Sequence, residues 1–220
     1  MRTLLYFGIF TILAFNLKSQ QIYFGTGFEL NQTRFRQFAP TVTVPFKNPH
    51  GPGFGLSAYF FFEMQLTNKI SVNLSPIIGF YNTNSNVTDD FQLGIYGLRF
   101  SPKLKLKKID IELGIEYNRL QSLIGTLPNG RKIDWTFFAH KRDLFGPNID
   151  IGYWFKNTKI HFRSTYFLHD FLRSGALDYD GNIVGPVEVT PFVIALGLDF
   201  NLTQIVKNSK AGKYKRKAKE

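Results

Sequence analysis

The sequence contains no cysteine. That absence excludes a disulfide framework, a thiolate metal site and a lipidated N-terminal cysteine, and it leaves the compartment open. Long apolar runs are also missing. Mean hydropathy is -0.12, which excludes a bundle of membrane-crossing helices. No glycine-rich phosphate loop, zinc-ligand spacing or Ser-His-Asp signature stands out. The chain is therefore expected to carry no cofactor and no metal. It is also expected not to be an enzyme.

What the sequence does contain is aromatic residue. Phe, Tyr and Trp make up 16% of 220 residues, with 24 Phe and 10 Tyr. Soluble domains rarely need so much phenylalanine. A β-barrel facing lipid does, because its outer surface is apolar and its rims favour aromatics. Such a barrel also escapes hydropathy detection, since every second residue can be polar.

The formal net charge is +11. Much of it lies at the C-terminus, in Lys207, Lys210, Lys213, Lys215, Arg216, Lys217 and Lys219, against the single acid Glu220. A uniformly basic fold would point to nucleic acid. A basic tail on a near-neutral body points to a local electrostatic tether instead. Its expected contacts are anionic lipid headgroups, peptidoglycan carboxylates or an acidic partner protein, and not nucleic acid.

The N-terminus reads as an address. Arg2 supplies a positive start, and Leu4 to Phe15 form an apolar stretch too short to span a bilayer as a helix. A small residue, Ser19, follows at a suitable cleavage point. The expected division is a signal peptide over 1–19, a barrel over 20–202 and a basic periplasmic tail over 203–220.

The body alternates with period two, the mark of strands with one apolar and one polar face. Phe54, Leu56, Ala58, Phe60, Phe62, Met64 and Leu66 share one face of a strand, with Gly55, Ser57, Tyr59, Phe61, Glu63 and Gln65 opposite. Eight such segments can be picked out. In the fourth, Phe91, Leu93 and Ile95 fall out of phase with Leu98, Phe100 and Leu104. A β-bulge near Tyr96 or Gly97 is the expected cause. Tight turns fall at Thr67-Asn68, Lys107-Lys108 and Asn157-Thr158. Long links fall at about 33–52, 82–90, 120–147 and 171–188. Asn129-Gly130 and Asp180-Gly181 are hairpin signals inside two of these links. Strands five to eight are therefore expected to continue above the bilayer, with Trp135, Phe137 and Phe138 on such an extension.

Short turns at one end and long loops at the other give an all-β fold: an eight-stranded antiparallel transmembrane β-barrel, with short periplasmic turns and long extracellular loops. An even strand count puts both termini on the periplasmic side of an outer membrane. The competing reading is a soluble β-sandwich or lipocalin-like barrel, whose large apolar residues would point inward.

The sequence resembles the PorT-like group of small outer-membrane barrels common in Bacteroidota. The resemblance rests on the signal peptide ending at Gln20-Gln21 and on Asn148-Ile149-Asp150-Ile151-Gly152-Tyr153 with the turn and basic-aromatic strand after it. It rests also on the closing Ala195-Leu196-Gly197-Leu198-Asp199-Phe200-Asn201-Leu202. It implies a non-enzymatic barrel that takes part in protein secretion or assembly at the outer membrane. The basic tail departs from the group, whose barrels commonly end at the last strand.

The polar faces nominate a lumen network of Glu29, Glu63, Arg99, Asp110, Glu112, Glu116, Asp150, His161, Arg163 and Asp199. Eight strands leave room only for side chains, so these charges are expected to pair, with Arg99 and Arg163 neutralising acids. The alternatives are a narrow channel or ligand-binding barrel, and a lipid A-modifying enzyme. The enzyme would need a His beside a Ser. His161 and Ser164 fall on opposite faces at their odd spacing, with His169 and Asp170 as substitutes. Asp178, Asp180 and Asn182 mimic a calcium loop, but Gly181 is misplaced and no bidentate Glu follows.

Overall fold

The computed structural model describes residues 21–38, 50–85, 90–126, 129–139, 141–177 and 183–203. The expected signal peptide, the seven tail cations and the Asp178-Asp180-Asn182 triplet lie outside them.

Strand follows strand wherever the alternation runs. The elements are β1 (Ile22–Phe38), β2 (His50–Gln65), β3 (Ile70–Ser85), β4 (Asp90–Leu106), β5 (Ile109–Thr126), β6 (Lys132–Asp134), β7 (Asp143–Phe155), β8 (Thr158–Tyr166), β9 (Leu172–Leu177) and β10 (Ile183–Asn201). A 3-10 turn covers Thr136–Phe138. Eight of the strands form one antiparallel meander in the order β1-β2-β3-β4-β5-β7-β8-β10. β10 then pairs with β1, from Gly25 opposite Asn201 to Phe38 opposite Glu188. That last pairing closes the sheet into a barrel and leaves it no free edge.

The seam is latched beyond the strands. Thr203, the first residue of the expected tail, accepts a hydrogen bond on Oγ1 from the Phe24 backbone N–H at 2.7 Å. At the same end the Gln65 N–H donates to the Gln21 carbonyl at 3.0 Å. The described chain thus enters and leaves the barrel at the short-turn end.

The strands run further than the alternation suggests. β1 reaches Phe38 and β5 reaches Thr126, so the long links are shorter than expected. The cause is pairing beyond the apolar belt. β6 hydrogen-bonds to β5, and β9 pairs with the upper part of β10. Gly130, with φ +80°, makes the turn into β6. Trp135 and the 3-10 turn lie on this extension, and the Trp135 N–H donates to the Leu123 carbonyl at 2.7 Å.

The expected bulge sits elsewhere. β4 alternates without interruption from Asp90 to Leu106. The register shift opposes Gly94 and Ile95 to Ser122 and Leu120, so the extra residue is Gln121 on β5. Phe91, Leu93 and Ile95 are out of phase with Leu98 and Phe100 for another reason: they point into the lumen, and the lumen is apolar at that height.

Burial is inverted relative to a water-soluble protein. Phe60, Ile78 and Leu113 are each more than 60% exposed, whereas Glu29, Glu116 and Arg163 are fully buried. The same apolar face recurs on every strand of the barrel, far beyond the patch size a soluble monomer exposes. Hydrocarbon is the solvent that suits such a surface. This overturns the sandwich and lipocalin-like alternatives, whose apolar face would be the buried one.

Candidate functional site: the charged lumen

Inward positions on the strands are filled by small residues where the neighbouring inward side chain is large. A Cβ added at Gly197 would fall 2.2 Å from His161 Nε2, so glycine there makes room for the imidazole. Beneath such glycines the barrel carries a compact array of charge.

All ten nominated lumen residues are buried. At mid-height, two arginines and two glutamates alternate in a ring. Arg99 lies 3.2 Å from Glu29 and 3.3 Å from Glu116. Arg163 lies 2.7 Å from Glu116 and closes the ring on Glu29. The remaining lone pairs are also met. Tyr81 donates its hydroxyl to Glu116 at 3.0 Å, and Asn118 donates its amide to the same oxygen at 2.8 Å. Ser57 donates to Glu29 at 3.3 Å. This is the pattern a buried ion set needs, because unmet charge in a low-dielectric interior is costly.

Nearer the turns, the cations are lysines that the sequence reading did not nominate. Lys103 contacts Glu63 at 2.8 Å, Glu112 at 3.0 Å and Asp110 at 3.6 Å. Lys159 contacts Asp199 at 2.8 Å, Glu112 at 3.0 Å and Asp150 at 3.6 Å. Both are buried. Parity was the available signal: Lys103 shares a face with Arg99, and Lys159 with His161 and Arg163. Lys105 adds a further contact to Glu63 from the rim, and Asn73 donates to Glu112 at 3.2 Å.

His161 joins the two layers. Its Nδ1 lies 2.5 Å from Asp150 and its Nε2 lies 2.8 Å from the Tyr59 hydroxyl, which also donates to Asp199. Arg99 stacks over the Tyr59 ring at 5.3 Å. Glu29, Asp150 and His161 lie close enough to share one cation. Arg163, Arg99 and Lys159 already supply positive charge to those carboxylates, so the donor set does not fit a metal ion.

Above the ring the lumen is closed by carbon. Leu93, Ile95, Leu120, Leu123, Leu144, Phe167, Phe171, Val189 and Val193 pack together, and Tyr81 borders them through a ring contact with Phe167 at 6.3 Å. A polar network and an apolar plug are thus stacked along one axis. Outside, the same strands present Phe28, Phe60, Phe62, Phe100 and Phe162 outward. The chain is a membrane-spanning β-barrel of the outer-membrane type.

No protein-family model matches the chain, and no curated protein matches it in sequence. Among solved structures it is similar to Neisserial surface protein A, with a TM-score of 0.48 and 12% identity over 84% of this chain and 99% of that one. It is similar to the outer membrane protein OprG from Pseudomonas aeruginosa, with a TM-score of 0.42 and 11% identity over 81% and 94%. It is similar also to the outer membrane protein AlkL in lipid bilayers, with a TM-score of 0.41 and 12% identity over 82% and 90%. The barrel assignment rests on this chain's own closure and inverted burial.

The candidate His and Ser do not meet. His161 points into the lumen, and Ser164 lies on the outer face of β8. His169 is exposed on the segment after β8, and the neighbouring Asp170 is buried with Lys141 at 3.5 Å.

Proposed function

We propose that this chain is a non-enzymatic, non-conducting outer-membrane barrel that serves as a structural or interaction subunit, in a protein secretion or assembly complex of that membrane. The observation that carries the reading is the double closure of the lumen, by the Arg-Glu ring and by the apolar plug. A barrel so filled offers its rims and its outer surface for contact, and not a pore. The resemblance to PorT-like barrels supports the secretion setting. In this reading the turn end, where Gln21 and Thr203 lie, faces the periplasm. The loop end faces outward.

In a planar bilayer the wild-type chain is expected to give no stepwise current. Sustained steps at ordinary voltages would overturn the closed-lumen reading. Affinity purification from native membranes tests the subunit reading directly, and recovery of the barrel alone at high yield would count against it.

The basic tail supplies a second prediction. Deleting residues 204–220, beyond the Thr203 latch, should leave insertion and the heat-sensitive gel shift unchanged. Recovery of periplasmic partners should fall. Loss of insertion on deletion would contradict a tethering role.

A further inference from the structure

The turn-side mouth of the barrel holds a cavity of about 210 Å³. Tyr23, Lys105, Lys107, Trp154, Lys156 and Asn201 are among the residues around it. Two acids also line it, and both are engaged from within. Glu63 faces Lys103 and Lys105. Asp110 accepts a hydrogen bond from Trp154 Nε1 at 2.5 Å and lies 3.6 Å from Lys103. Lys107 and Lys156 have no such acid: among the described ion pairs neither appears, and both are exposed.

Their backbones single them out a second time. Among the described residues, Lys107 and Lys156 are the two non-glycine positions with positive φ, each at 57°. Each is the first residue of a two-residue turn, Lys107-Lys108 between β4 and β5 and Lys156-Asn157 between β7 and β8. Glycine or asparagine holds that conformation at less cost. A two-residue hairpin turn requires that conformation at its first residue, so the turns themselves fix where the two lysines stand. The two turns are neighbours on the rim, joined by the Trp154 N–H donating to the Lys108 carbonyl at 2.8 Å. Two unpaired cations therefore stand side by side on one wall of the mouth, with the indole below.

We infer that this mouth is a socket for a carboxylate side chain on an acidic peptide segment of a partner protein at the turn side of the membrane. The inference rests on the interaction-subunit reading above and names the chemistry of the partner. The cavity opens on the barrel axis, because Tyr23, Lys105 and Asn201 lie on the inner faces of their strands. Phospholipid headgroups sit outside that ring of strands. They meet the outer rim instead, where Lys108 stacks on Tyr153 at 5.9 Å. The sequence adds a reason to favour an extended acidic segment: Asn201, in the wall of the mouth, is followed along the chain by the cations Lys207 to Lys219. Opposite charge on the partner would be steered to both.

The test uses the mature full-length chain in phosphatidylcholine vesicles, carrying Trp135→Phe so that Trp154 is the remaining indole. Titration with hexaglutamate should change Trp154 emission saturably. Lys107→Asn with Lys156→Asn suits the left-handed backbone and should preserve the gel shift, yet weaken the binding about ten-fold or more. Lys107→Arg with Lys156→Arg should retain it, as should deletion of 204–220 to within a few-fold. Unchanged affinity in the Asn pair, or no saturable change in the parent, overturns the socket. An equal emission change on adding phosphatidylglycerol to the vesicles, without peptide, overturns it in favour of a headgroup site. The bilayer current separates this inference from the reading it rests on. A conducting chain that binds hexaglutamate refutes the closed lumen alone, and a silent chain that does not bind refutes the socket alone.

Discussion

Arg163→Met is expected to lower the unfolding free energy of the inserted barrel by roughly 3–5 kcal/mol. Methionine fills a similar volume, so the loss is electrostatic and not a cavity. Arg163 is fully buried and bonded to both Glu29 and Glu116. Removing it leaves two carboxylates sharing Arg99, whose contacts are longer, at 3.2 and 3.3 Å. Glu29 and Glu116 are both fully buried and the apolar plug lies above the ring, so solvent reaches the uncovered charge poorly. The deficit should therefore appear in full and not be softened by solvation. Adding Glu29→Gln to Arg163→Met removes one orphaned charge and should restore a large part of the loss. A urea titration in vesicles, followed by the mobility of unheated samples, measures both. If the single variant loses less than about 1 kcal/mol, the ring is wetter than its geometry implies and the closed lumen is in doubt.

The same ring shows what was legible in the sequence. Period two marked two faces on each strand, and the nominated charges follow from it wherever one face carried Phe, Leu and Ile while the other carried Gly, Ser and charge. Two things were hidden. Lys103 and Lys159 stand beside turns rich in exposed lysine, so composition disguised them where parity did not. Phe91, Leu93 and Ile95 looked like a lipid face that had slipped. A strand pattern marks which residues share a face, but not which solvent that face meets, and here the inner face changes from polar to apolar along β4. The bulge was in turn invisible: Gln121 is one residue on β5, and only pairing with Gly94 and Ile95 reveals that it is extra. The extension β6 was foreshadowed by its turn signal, since Asn129-Gly130 does form the turn that leads into β6, whereas Asp180-Gly181 lies outside the described residues.

Phe60→Arg tests the other half of the inversion. Phe60 is 62% exposed on the outer face of β2, opposite Thr26 on β1. Outward residues run from Phe54 on that strand to Leu66 just past its end, which puts Phe60 at the middle of the row and farthest from either rim. An arginine at the bilayer midplane of a barrel costs about 2–4 kcal/mol, and less near the interfaces. Phe60→Arg should therefore slow or prevent folding into vesicles. Phe54→Arg should cost less, because its longer stem reaches the rim and its head stays wet. Phe60→Leu should be nearly neutral. The adjacent residue gives an internal contrast. Tyr59 points inward, and Tyr59→Phe removes the hydroxyl that serves Asp199 and His161, so its penalty should not depend on bilayer thickness. Refolding in short-chain and long-chain phosphatidylcholine distinguishes the two. A Phe60→Arg variant that folds as well as wild type in both would mean that Phe60 does not meet hydrocarbon. The outward belt would then need another explanation than lipid.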